Sequence, residues 1–178
     1  MLYPAPLRDL LIELAAARLF RAKWTDQIHE EWMKSLLQDR QDITRAALER
    51  TRDLMNASVL DCLVEDYELL IPSVNCPAPD DRHVIAAAIK GRCAALVTFN
   101  LKHFPRSALA RYDIEPLHPD EFLHHQIGLN QAAVIRAAGK CRARLRNPAK
   151  SAEDYLQTLR RQGMPKTVSA LEACVDLI

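Results

Sequence analysis

Apolar residues recur at helical spacing near the two ends of the chain and gather into short continuous runs in the middle. Leu7, Leu10, Leu11, Leu14 and Ala15 fall three and four apart, which predicts a helix opened by Pro6. Residues 19–24 alternate as a short strand does. Thr25 is a good N-cap for a helix over residues 26–37, with Ile28, Trp32 and Leu36 on its inner stripe and Glu30 and Glu31 in its second turn. Residues 44–58 carry charges at many positions and read as a peripheral helix. A short strand over residues 60–64 and a loop punctuated by Pro72, Pro77 and Pro79 then deliver the chain to Asp81.

Residues 79–104, PDDRHVIAAAIKGRCAALVTFNLKHF, form the organising stretch. Asp80 and Asp81 sit where a helix N-terminus favours acidic groups, since its first N–H groups are unpaired and its dipole is positive there. Gly91 suits the left-handed position after the helix. The run Ala94-Ala95-Leu96-Val97 reads as a parallel strand covered on both faces, ending in Thr98-Phe99-Asn100. Helix and strand run antiparallel across such a turn, so Asp81 and Asn100 are expected as neighbours at the carboxyl edge of the sheet, where ligands gather in open parallel sheets. A short helix over residues 107–111, a strand over 114–117 and a helix opening at Pro119-Asp120-Glu121 complete an α/β layer pattern with a mostly parallel sheet. The remainder is helical. A basic helix over residues 129–146 is broken by Asn147-Pro148, a second opens at Ser151 and ends at Gly163, and a third covers 166–176. The expected division is an α/β domain over residues 1–124 and a basic helical extension over 125–178.

The 178 residues suffice for one domain with an appendage. No apolar run approaches the roughly 20 residues that span a bilayer, and a cytoplasmic protein without membrane contact is expected. Cys62, Cys76, Cys93, Cys141 and Cys174 are scattered without a C-x-x-C pair and read as small buried thiols. Charge is uneven. Up to His124 there are 15 Lys/Arg against 19 Asp/Glu, and from His125 onward 9 against 4, so the tail is a candidate for meeting something acidic. His29, His83 and His103 stand isolated in the sequence, and no H-x-x-x-H, G-x-G-x-x-G, P-loop or G-x-S-x-G pattern occurs.

Glu31, Asp81, Thr98 and Asn100 are the polar positions expected to converge at the carboxyl edge. Carboxylates gathered with hydroxyl or amide oxygens favour a hard divalent cation, Mg²⁺ or Mn²⁺, which can activate water for attack on a phosphodiester. On the residues alone, Asp80 and Asp81 serve equally as helix caps, and Glu30 and Glu31 as solvent-facing groups.

The segments LYPAPLRDLL at residues 2–11, Glu31-Trp32, PDDRHVIAAAI at 79–89 and LVTFNLK at 96–102 followed by Phe104-Pro105 together resemble the PIN-domain family, in its branch of VapC-like toxins of bacterial toxin–antitoxin modules. Asp81, Ala86 and Ala88 meet the family's Asp-x-x-x-x-Ala-x-Ala helix. The resemblance implies a parallel sheet of about five strands flanked by helices, and a Mg²⁺- or Mn²⁺-dependent endoribonuclease. Glu31 and Asp81 correspond to acidic metal ligands, with Thr98 and Asn100 as supporting oxygens, and Lys102 and Arg82 are the basic residues placed to approach RNA phosphates. It further implies an antitoxin protein as partner, RNA as substrate and a homodimer.

Three departures stand against that pattern. The chain starts inside the expected first, central strand, so that strand is truncated and its aspartate is lacking, through a start placed too far downstream or a real truncation. Asn100 stands where most such domains carry an aspartate, and His103 where a further one is common. The alternative reading is a catalytically impaired remnant that binds an antitoxin or RNA, the C-terminal Arg136, Lys140, Arg142, Arg144 and Arg146 being available for either, with Arg142 and Arg146 sharing a face.

Overall fold

The computed structural model describes residues 5–178, so the first residues of the LYPAPLRDLL segment lie outside it. The chain forms two compact units, residues 5–20 with His118–Ile178, and Arg21–Leu117. In the first, α1 (Ala5–Ala16) buries all five of its expected apolar positions. Its four leucines pack into a cluster with Leu123 and Val134 of α6 (Pro119–Arg144), Tyr155 and Leu159 of α7 (Ala152–Arg161), and Val168 and Leu171 of α8 (Pro165–Glu172). α6 is two helices in succession, as expected, meeting at a kink at non-helical Asn130 (φ −156°, ψ 78°). Its side-chain oxygen accepts from Ala133 N at 3.0 Å and so restarts the helix as an internal N-cap. Ser151 caps α7 through Asp154 N, and Gly163 takes φ 84° beyond its end, both as the sequence suggests.

One buried carboxylate ties this unit together. Asp120, 4 % exposed, accepts from Lys166 N at 2.9 Å and from Thr167 N at 2.8 Å, so a residue in the first turn of α6 caps the N-terminus of α8 from a distance. Thr167 returns a hydroxyl to the Asp120 carbonyl at 3.3 Å.

In the second unit, α2 (Asp26–Asp39) and α3 (Arg45–Ser58) are capped by Thr25 and Thr44, whose hydroxyls accept from Ile28 N and Ala47 N. The sheet is smaller than the five strands implied by the resemblance. Among the described residues it consists of β1 (Ala95–Val97) parallel to β2 (Glu115–Leu117), with α5 (Arg106–Leu109) in the connection. The strands expected over 19–24 and 60–64 contribute one parallel bridge, Trp24 to Leu63, held by Trp24 N to Cys62 O and Val64 N to Trp24 O, each 2.9 Å. The fold is thus a two-stranded parallel sheet flanked by helices, with an all-helical C-terminal region. The core of this unit lies on α4 (Arg82–Lys90), whose Ile85, Ala86, Ala87 and Ala88 are buried with Val64, Leu96, Phe104 and Ile114.

Gly91 does not take the left-handed conformation expected of it. Its φ is −74°, and Arg92 carries the positive φ of 50° instead. The glycine is required by space: a Cβ there would stand 3.1 Å from Ala87 O and 3.2 Å from Val64 Cγ2.

Histidine 29 is fully buried on α2, where the sequence stripe placed Ile28. Trp32 Nε1 donates to its Nδ1 at 2.9 Å, so the proton sits on Nε2, which donates to Asn56 Oδ1 at 3.0 Å; Trp24 Nε1 donates to the same oxygen at 2.8 Å. Burial lowers the His29 pKa below its ordinary 6.5, against the opposing bond to Asn56. The native ring is therefore neutral where the unfolded one is charged. Its contribution is complete above pH 6.5 and falls away as pH drops through the lowered native value. Between pH 7.5 and 5, urea titrations are expected to show a smaller loss of stability in His29→Gln than in the parent chain. In the helical unit, Asp120→Ala orphans the buried Thr167 N–H and the part-buried Lys166 N–H and is expected to cost about 2 kcal/mol in thermal or urea unfolding.

Candidate functional site

The sequence-expected residues meet around the start of α4. The proline-punctuated loop closes with a 3₁₀ turn, Pro79–Asp81, in which Asp81 N donates to Ala78 O at 3.1 Å. Asp81 occupies the N-cap position of α4, yet its side chain makes no capping bond. It turns to His103, with Oδ2 2.5 Å from Nδ1, and since an ionised carboxylate only accepts, the imidazole Nδ1–H donates. His103 is held by the turn that follows β1. Asn100 N donates to Thr98 Oγ1 at 3.1 Å, His103 N to Asn100 O at 3.2 Å, Phe104 N to Leu101 O at 3.2 Å, and Cys76 Sγ to His103 O at 3.2 Å, while Phe104 is buried beneath. Asn100 and Asp81 are thus joined through His103, with no hydrogen bond of their own between them.

Glu31 reaches α4 from α2. His83, 3 % exposed, places Nε2 2.8 Å from Glu31 Oε1, outside hydrogen-bonding direction, so the two form an ion pair only with the ring protonated. Gln27 Nε2 donates to the same oxygen at 3.4 Å, and Tyr67 OH donates to Gln27 Oε1 at 3.2 Å. Each carboxylate therefore faces a histidine, Asp81 at the start of α4 facing His103 of the turn after β1, and Glu31 of α2 facing His83 in the first turn of α4.

His83, isolated in the sequence, is the site residue that sequence reasoning passed over, with the spacing Asp81-Arg82-His83 as the available signal; His103 was singled out as a departure at a site position, but not as the partner of Asp81. Of the basic candidates, Lys102 is exposed in the turn, and Arg82 is half-buried with Nε lacking a hydrogen-bond partner among the described residues. Glu31 also borders an open depression of about 420 Å³ with Glu30, Lys34 and Arg45, but Asp81 is not among its lining residues. The depression touches the Glu31–His83 pair but not Asp81 or His103, so it does not gather both carboxylates.

A hard divalent cation needs several free oxygens arranged around one point. Asp81 is engaged by an imidazole N–H, Glu31 by an imidazole and an amide, and the Thr98 hydroxyl by a backbone N–H. Among the described residues no group of three or more His, Cys, Asp or Glu is placed to hold a metal ion. The donor set does not fit Mg²⁺ or Mn²⁺ as it stands.

An α/β unit with carboxylates at the start of a helix beside a strand-end turn, together with an all-helical C-terminal region, defines the class of protein. Residues 119–173 match the family model described as VapC50 C-terminal domain. The chain is 55 % identical over 53 residues to a Mycobacterium tuberculosis (strain ATCC 25618 / H37Rv) protein named "Putative ribonuclease VapC50", a stretch that covers 30 % of this chain and 31 % of that protein. No solved structure matches. Both matches are partial, the family model covering residues 119–173 and the shared stretch spanning about a third of that relative's length. The matched region is the helical part, whereas the sequence resemblance rests on residues 1–124; the two overlap only in residues 119–124.

Proposed function

We propose that this chain is a VapC-like, PIN-related protein impaired in metal-dependent cleavage, whose role is to bind an antitoxin-like protein or RNA. The observation that supports this reading most is the capture of Asp81 by His103. A hydrogen bond of 2.5 Å occupies one oxygen of the central carboxylate and puts a proton donor where a cation would have to come. Glu31 stands 2.8 Å from His83 Nε2 without a hydrogen bond, so a divalent ion would have to displace the His103 bond and fit beside a second imidazole before gaining two carboxylates. A cytoplasmic setting accords with the five free thiols.

The second reading, a Mg²⁺- or Mn²⁺-dependent endoribonuclease toxin, draws on the same place. Glu31 and Asp81 both reach the first turn of α4, which would make them the ligands, with Thr98 and Asn100 supporting and Lys102 beside the phosphate. Since the donor set does not fit the ion, no catalytic step is derived through it.

Incubation of the whole chain with a panel of RNAs and Mn²⁺ separates the two. Cleavage no faster than that of Asp81→Ala is expected. Mn²⁺-dependent cleavage that disappears in Asp81→Ala and Glu31→Ala would overturn the impaired reading. His103→Asp removes the proton donor and adds a carboxylate, and is expected to tighten Mn²⁺ binding by about tenfold, roughly 1.4 kcal/mol, in calorimetry.

A further inference from the structure

Between Glu121 and Glu153 the chain carries six Lys/Arg and no Asp or Glu. Where the structure puts those cations is not where helical spacing counted from residue 142 would suggest. Arg142 is half-buried, and its Nη1 donates to Lys150 O at 3.4 Å while Lys150 Nζ donates to Thr158 Oγ1 at 2.6 Å, so these two brace the turn that follows α6. Arg146 lies beyond the helix end. The exposed face of the restarted half of α6 carries Arg136, Lys140 and Arg144, each four residues from the next. At 1.5 Å per residue they stand about 6 Å apart along the axis, a ladder of three cations on one side of the helix. The opposite side, Val134, Ile135, Ala138 and Cys141, is buried.

The ladder is built rather than merely solvated. Glu13 of α1, whose side chain is 12 % exposed, accepts from Lys140 Nζ at 2.8 Å through Oε1 and from Arg144 Nη2 at 2.8 Å through Oε2. Burial alone would raise the Glu13 pKa, and the bonds from Lys140 and Arg144 outweigh it to leave it lowered. One carboxylate thus sits between two cations, fixes their direction and leaves a positive charge in excess. Both cations remain mostly exposed, 64 % and 65 %, with further N–H donors to offer. Arg136 makes no ion pair among the described residues.

We propose that this ladder binds the phosphodiester backbone of a nucleic acid strand, with successive phosphates taken by Arg136, Lys140 and Arg144. An acidic protein fits the face less well. Its exposed neighbours, Ala132 and Ala143, are small, and the exposed large apolar residues of this unit, Leu129 and Leu177, lie outside the 131–144 helix. Protein interfaces need an apolar centre, whereas backbone recognition needs only cations at phosphate spacing. The inference deepens the binding role proposed above by naming its ligand and seat, and it does not depend on the state of the carboxylate site.

Fluorescence anisotropy of a labelled single-stranded RNA and its DNA equivalent, titrated with the whole chain over a range of salt, tests it. Three phosphate contacts on a single strand predict a slope of log K against log salt of about −2. Arg136→Gln, which leaves Glu13 and its two partners untouched, is expected to reduce that slope by about 0.7 and weaken RNA and DNA strands alike. Arg161→Gln, an exposed cation on α7, is the control expected to change neither. The proposal is overturned by absence of binding at low salt, by unchanged affinity and slope in Arg136→Gln, or by poly-glutamate competing as well as RNA at equal charge, which would assign the face to an acidic protein. Cleavage with Mn²⁺ is scored separately with Asp81→Ala, so failure of the ladder and failure of the impaired-nuclease reading give different results.

Discussion

The hydrogen bond between His103 and Asp81 decides what the α/β unit can do. It joins two elements, the N-terminus of α4 and the turn after β1. A carboxylate at a helix N-cap ordinarily spends its oxygens on the helix's own N–H groups. Asp81 does not, and the bond to His103 takes up that capacity. With an imidazole at position 103 the Asp81 carboxylate gains a hydrogen-bond donor, while His83 approaches Glu31 at 2.8 Å without a hydrogen bond. The exchange favours a stable unliganded site over one that waits for a cation.

Elements defined by local chemistry were readable in advance. Thr25, Thr44 and Ser151 cap helices because a side-chain oxygen three residues before a free N–H suffices, and no distant residue needs to be known. The leucines of α1 were equally plain, since a stripe at helical spacing has only one way to be buried. Elements that depend on distant partners were not readable. Residues 19–24 and 60–64 have strand-like patterns, but a strand exists only where a neighbour pairs with it, and the pairing observed is a single bridge at Trp24. Gly91 looked like a C-cap because the chain turns there; its role is set by Val64, 27 residues away, which leaves no room for a Cβ.

The candidate site divides along the same line. Glu31 and Asp81 could be picked out because acidic residues near helix starts are conspicuous, and the structure does bring both to α4. The partners of the histidines could not be read, His103 included, since each meets its carboxylate across 22 residues or more of chain, or, for His29, meets Asn56 across 27. Imidazoles far apart in sequence carry no pattern of their own; the fold alone makes pairs of them.

Charge segregation was visible as a count but not as a surface. Six cations without a carboxylate between residues 122 and 152 suggest a basic face, yet two of the six are spent on bracing a turn and two lean on Glu13. Which of them remain available follows from Asn130. By interrupting α6 and restarting it, this residue sets the phase of the helix that follows, and the phase places Val134, Ile135, Ala138 and Cys141 inward and Arg136, Lys140 and Arg144 on the other side. A helix continuing unbroken from Pro119 would carry the phase of its first turns forward at about 100° per residue. The break frees the second half to bury its small residues against the core and to hold its cations in a row.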